Sequence, residues 1–190
     1  MTSHPSIPPA GSPLRVRTLI LGVLGVVFAH SHAGAQADSA QWRGDVATLD
    51  AIIEAYYDVV SGPAGGVIDT ARDHYLHHPE ARITLYRRQP GQPVNVDVVT
   101  LSEYHRRVGV GPRAQAFYER EINRVEHVFG NMATVWSTYE FRSTPDGPAT
   151  GRGINTITLA RDADRWWITG WGFESETSSA RIPSRYLPNN

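Results

Sequence analysis

No cysteine and no lysine occur among the 190 residues. The first absence excludes disulfides, thiolate metal sites, cysteine nucleophiles and lipidated thiols. The second leaves all eighteen basic residues as arginine, a difference that matters only where planar, bidentate recognition is needed. Nineteen acidic residues balance them to a formal net charge of −1. A chain so balanced offers no basic face, and no nucleic-acid partner is expected. G-x-S-x-G, a Walker loop and a dinucleotide fingerprint are also missing, so no cofactor is expected. The length suits one domain with a substantial core, and there is no internal repeat.

Long apolar runs are scarce as well. The most prominent, "TLILGVLGVVFA" at residues 18–29, is too short to span a bilayer comfortably. Arg15 and Arg17 precede it, and the small residues "AGAQA" follow at 33–37. A basic flank, a short apolar run and an A-x-A site are the layout of a secretory signal peptide, with cleavage after Ala35 or Ala37. The expectation is an exported protein, periplasmic or extracellular, with no membrane contact after cleavage. Residues 1–37 are read as a disordered start plus signal peptide, 38–176 as the folded domain and 177–190 as a polar tail.

Within 38–176 helices come first. Val46, Leu49, Ile53, Tyr56 and Val60 recur at helical steps, with Asp45 as N-cap and Gly62-Pro63 as the stop. A second helix, "VIDTARDHYLHH", buries Ile68, Ala71, Tyr75 and His78 and ends at Pro79. Residues 82–88 and 94–98 alternate as strands. "TLSE" at 100–103 is a capping box that opens a third helix, ended by Gly109. Four long strands follow, at 115–129, 132–143, 152–160 and 165–174. This order predicts an α+β class: three N-terminal helices packed on a strongly curved, mainly antiparallel sheet that forms a half-open cone.

Four stretches carry a resemblance: "LDAIIEAYYDVVSG", "HYLHHPEARI", "FGNMATVWSTYEFR" and "RGINTITLARDADRWWITGWGF". In this order they are similar to the opening helix, second-helix end, strand pair and Trp-rich final hairpin of the nuclear-transport-factor-2-like superfamily. That superfamily includes ketosteroid isomerases, scytalone dehydratases and polyketide cyclases. The resemblance spans about residues 45–176 and implies a cone with an interior pocket, often an acidic base inside it, and sheet-to-sheet dimers. One cone hosts unrelated activities, so chemistry must come from the site.

In "HYLHHPEARITLYRR" (74–88), His74 and His77 are three apart, which on a helix puts two imidazoles on one face. They are candidate acid–base groups; the alternatives are helix-end caps or a metal site. For a metal only the spacing is met, and no metal is expected. On strand 115–129 strict alternation puts Glu119, Glu121, Asn123 and His127 on one side. Those carboxylates are either an outer charge ladder or, on the inner wall, candidate bases with a raised pKa. Glu121 joins the two histidines as a catalytic candidate. Asn155, inside an apolar strand, needs a partner: a ligand carbonyl or a neighbouring strand end. Tyr57 and Tyr86 are candidates to aim hydroxyls into the pocket, with Glu119, Glu121, Asn155 and Trp171 completing its lining. In "RWWITGWGF" alternation groups Trp167, Thr169, Trp171 and Phe173 against Trp166, Ile168, Gly170 and Gly172. Aromatics on both faces mean both are covered, one by the helices and one by a ligand or a second copy.

The expected function is an exported module that binds a small apolar or amphipathic molecule and forms a homodimer through its sheet. The alternative is a cofactor-free lyase or isomerase using a His or Glu base with Tyr or Asn support; a filled, purely structural cone is the third. A cavity with a convergent His or Glu and a polar partner favours the enzyme, an all-apolar cavity the binder. Intact-mass measurement of exported protein should place the mature N-terminus at Gln36 or Asp38; retention of residues 1–30 would overturn the export assignment.

Overall fold

The computed structural model describes residues 40–188 except Pro90; the candidate signal peptide lies outside the described residues. Two 3-10 turns, Ala40–Trp42 and Gly44–Val46, lead into α1 (Leu49–Val60) and α2 (Thr70–Leu76). Then come β1 (His77–Arg87), β2 (Asn95–Val99), α3 (Leu101–Val108), β3 (Tyr118–Phe129), β4 (Met132–Arg142), β5 (Gly151–Asp162) and β6 (Arg165–Ser175). The strands form one open sheet in the order β2-β1-β6-β5-β4-β3. Every neighbouring pair is antiparallel except β1 and β6, which are parallel. Ile52, Ile53 and Leu76 from the helices pack with Ile83, Val135, Ile157 and Ile168 from the sheet. Helices on an open, mainly antiparallel sheet are the architecture that the resemblance implied.

Helix boundaries follow local hydrogen bonds. Thr48, not Asp45, caps α1 by accepting from Ala51 N at 3.1 Å; Asp45 instead receives Arg72 Nε at 2.7 Å. Asp69 caps α2, accepting from Arg72 N at 2.9 Å. That helix ends at Leu76, two residues earlier than the His78 end that Pro79 predicts, because His77 is already extended. Its buried face is Asp73 and Leu76, whereas Ala71 and His78 are exposed. Pro79 lies inside β1, where the ladder with β6 is irregular between His77 and Arg82, so a missing N–H breaks no pairing. The Thr100–Glu103 capping box is present, and Gly109 closes α3 at a φ of 78°.

Two bulges reset which side chains face the helices. On β6 the partners step from Ile168↔Leu159 to Gly170↔Thr158, leaving Thr169 as the extra residue. A bulge inverts the alternation beyond it. Trp171 therefore points inward with Trp166 and Ile168, against the expected grouping with Trp167. Gly170 and Gly172 point outward, where an added Cβ would stand 2.9 Å and 3.0 Å from the β1 carbonyls of Arg82 and Thr84. On β3 the partners step from Glu121↔Tyr139 to Asn123↔Thr138, leaving Ile122 extra. Glu119 and Glu121 thus share the inner side with Arg124, while Asn123 and His127 turn outward.

The polar tail is ordered over the sheet's outer face. Ile182 is 9% exposed, and its N–H donates to Glu176 Oε1 at 3.1 Å. Tyr186 stacks on Trp136 with ring centroids 5.2 Å apart and 10° between planes. Thr138 Oγ1 donates to the Tyr186 carbonyl at 2.5 Å. Among the described residues no helix is long and apolar enough to cross a membrane.

Candidate functional site

The inner side of the sheet and the helices enclose a cavity of about 260 Å³. Its wall is aromatic: Tyr56 from α1, Tyr104 from α3, Tyr139 from β4, and Trp171 and Phe173 from β6. Tyr104 and Tyr56 meet the Trp171 ring edge-on at 5.0 Å and 5.7 Å. Phe117 stacks on Phe141 at 5.5 Å. Glu119 and Asn155, both on this wall, are bonded to each other: Asn155 Nδ2 donates to Glu119 Oε1 at 3.2 Å.

Glu119 is fixed from two directions. Its backbone N–H donates to Ser61 Oγ at 2.9 Å, tying β3 to the end of α1. Its carboxyl sits among rings, and burial raises its pKa from 4.5 to about 7, against a smaller lowering by the Asn155 amide. A carboxyl in that range exchanges its proton at neutral pH, as a general acid or base must. Burial likewise pushes the Tyr104 and Tyr139 phenols up to about 12, so both remain O–H donors at neutral pH.

Behind Asn155 the bonds continue. Its second amide N–H donates to Tyr57 Oη at 3.1 Å, and its carbonyl accepts from Tyr56 Oη at 3.5 Å. Tyr57 Oη and Ser137 Oγ lie 2.6 Å apart. Ser137 donates to Glu121, whose other oxygen receives Arg124 Nε at 2.8 Å. Of the residues expected to line the pocket, Glu119, Asn155 and Trp171 do so. Tyr57 is buried behind the wall, and Glu121 is spent on Ser137 and Arg124. Tyr86 lies on the opposite face of the sheet, 41% exposed, because its β1 position pairs with outward-facing Val96.

The histidines divide once α2 ends at Leu76. His74 stays on the helix, exposed, with its ring edge-on to His105 at 5.4 Å; burial and the nearby His105 lower its pKa. His77 starts β1 and is 2% exposed. Trp171 Nε1 donates to His77 Nε2 at 2.8 Å. An acceptor Nε2 places the ring proton on Nδ1, which lies 2.8 Å from the Asp73 carbonyl and 3.2 Å from Asp73 Oδ1. His77 therefore braces Trp171 and has no lone pair left for a substrate.

Sequence reasoning missed the partner of that brace. His105 Nε2 is 2.7 Å from Asp73 Oδ2, and both residues are buried. Burial alone would raise the Asp73 carboxyl, but the hydrogen bonds from His105 and His77 outweigh it and hold it at about 2. Asp73, His105 and Tyr104 face a second cavity of about 550 Å³, which shares Val60, Tyr104 and Phe117 with the first. The signal was present: Leu101 and His105 are four apart on a helix whose start the capping box defines. Among the described residues no group of three His, Asp or Glu side chains is placed to hold a metal ion.

No model of a known protein family matches the sequence, and no curated protein matches it. Among solved structures the chain is similar to the association domain of C. elegans CaMKII. Identity there is 14%, over 74% of this chain and 95% of that one, with a TM-score of 0.48. It is similar to a protein from Kribbella flavida at 17% identity, covering 75% and 93%, TM-score 0.48. A third is an NTF2-like protein of unknown function from Shewanella baltica, at 8% identity, covering 78% and 98%, TM-score 0.45. These are likenesses of shape; what the cavity does follows from its own residues.

The raised Glu119 pKa has a stability consequence of definite sign. Below pH 4.5 the group is protonated folded and unfolded, and burying it carries no charge penalty. As pH rises toward 7 the unfolded chain ionises first, so folding loses up to about 3 kcal/mol, fully lost above pH 7. Glu119→Gln removes this dependence. Urea unfolding should show the variant gaining on wild type between pH 4.5 and 8; a difference independent of pH would refute the raised value.

Proposed function

We propose that the inner cavity binds a small apolar or amphipathic molecule and that Glu119 moves a proton on it without a cofactor. One observation carries this reading: an aromatic-walled cavity presents a single carboxyl, held by Asn155, with its pKa near neutrality. Glu119 takes a proton from a carbon next to a carbonyl, and the electron pair moves onto the carbonyl oxygen. The Tyr104 hydroxyl, without a hydrogen-bond partner among the described residues, donates to that oxygen. Return of the proton to the same carbon, or to the γ carbon of a conjugated dienolate, completes an exchange or isomerisation with no net gain or loss of atoms. Asp73 and His77 are not alternatives, since their acceptor atoms are engaged by His105 and Trp171. Binding without turnover remains the simpler use of the same cavity, and the first test separates the two.

Two further readings accompany it. The chain is exported through its N-terminal segment. It pairs with a second copy through the outer sheet face, where Tyr86, Val96 and Val98 are exposed together on β1 and β2; the tail covers the neighbouring part at Trp136.

Incubation in D₂O with simple cyclic enones should show deuterium entering the α or γ carbon by mass spectrometry. Glu119→Gln should slow this by roughly 100-fold or more. Equal rates in both proteins would exclude Glu119 as the base, and ligand binding without incorporation would leave the cavity a binder. Light scattering at micromolar concentration should return a dimer mass, and a monomer would refute the pairing.

A further inference from the structure

We infer that the molecule held in the cavity carries a carboxylate, and that Arg113 receives it. This rests on the reading that the cavity binds a small molecule. Arg113 lines the larger, outer cavity. Arg72, Arg124 and Arg152 are each matched to a carboxylate, Asp45, Glu121 and Glu176 in turn. Arg113 has no carboxylate partner among the described residues.

Its position is set before any ligand arrives. The backbone N–H donates to Gly66 O and the carbonyl accepts from Gly65 N, both at 2.9 Å. One guanidinium nitrogen, NH2, donates to the carbonyls of Val60 and Ser61 at 3.0 Å and 3.2 Å, closing the end of α1. NH1 packs against Gly62, where an added Cβ would stand 2.7 Å away. NH1 and Nε have no hydrogen-bond partner among the described residues. Half-buried donors left unmatched favour a ligand oxygen, and a guanidinium held in place by the Val60 and Ser61 carbonyls offers its charge and its free NH1 donors to one carboxylate oxygen. The "GPAGG" loop at 62–66, which begins with the Gly62-Pro63 stop, is the seat of this arginine.

Arg113 and Glu119 are anchored to the same residue. Ser61 gives its carbonyl to Arg113 and its hydroxyl to the Glu119 N–H. The two cavities share Val60, Tyr104 and Phe117, so one molecule can place its flat body beside Glu119 and its anionic end at Arg113. Asp73 is the carboxylate on the outer wall, and both its oxygens are bonded by histidines, at 2.7 Å to His105 and 3.2 Å to His77. Arg113 is then the charge left for a ligand.

The test compares 2-naphthoate with its neutral methyl ester by quenching of tryptophan fluorescence in the whole protein. Wild type should bind the acid about tenfold tighter than the ester. In R113Q the acid should lose about that factor while the ester stays within about twofold; R113K should recover part of the loss. Equal binding of acid and ester by wild type, or a preference that survives in R113Q, overturns the inference. If the ester binds as well as the acid, the small-molecule reading stands and the anionic end falls; if neither binds, both fall.

Discussion

A buried primary amide must place two N–H groups and one carbonyl, and Asn155 places all three inside the protein. The donors go to Glu119 and Tyr57 and the acceptor takes Tyr56. Each partner needs the amide as much as the amide needs it, since a buried polar group without a partner costs about 1–3 kcal/mol. The bonds join α1 to β5 and β3 across the floor of the cavity. They also rule out the expectation that Asn155 might orient a ligand carbonyl, for its donors are committed. What it orients is the Glu119 carboxyl, and it does so while only partly offsetting the rise that burial imposes. A floor built this way leaves one side of one carboxyl to a guest.

That arrangement needs the correct side chains to face inward, and the two bulges decide this. Without the extra Thr169, continuing alternation from Ile168 would turn Trp171 outward. His77 would then keep a buried acceptor nitrogen with no donor, and the cavity would lose its main wall. Ile122 does the same work on β3, bringing Arg124 to the side of Glu121, where its Nε neutralises that carboxylate at 2.8 Å. Bulges near a concave site re-aim single residues while the rest of the ladder persists. Here both fall on strands whose inward residues supply the polar and aromatic parts of the wall.

Features encoded by neighbours in sequence were legible in it. The α3 capping box, the spans of β3 to β6 and the apolar face of α1 depend on residues a few positions apart. A bulge is chosen by pairing with a distant strand, so no rule of alternation along one strand reveals it; alternation alone misplaces Trp171, Asn123 and His127 for that reason. Pro79 misled differently. It forbids a helix at His78, but it does not say how much earlier the helix stops. His77 stops it, with its backbone N–H and ring Nδ1 both directed to the Asp73 carbonyl. With His77 in a strand, the spacing from His74 loses its meaning as a helical face. Glu119 was visible as a candidate but not separable from Glu121, because parity puts both inward. Only the contact of Glu121 with Arg124 tells the spent carboxylate from the available one.

The two buried acids of the cavity region show why chemistry settles on one of them. Asp73 and Glu119 both pay for burial, in the sense that desolvation pushes each toward the neutral form. Asp73 meets a histidine on each oxygen, and its carboxyl ends near 2. It is a permanent anion at neutral pH, useful for holding His105 and, through His77, the Trp171 indole. Glu119 meets one neutral amide, and its carboxyl ends near 7. A fixed charge braces a wall; a group poised between two protonation states exchanges a proton with what the wall encloses. The difference comes from the number and kind of donors supplied by α2, α3 and β5. Those donors, more than the depth of burial, assign structure to one acid and reactivity to the other.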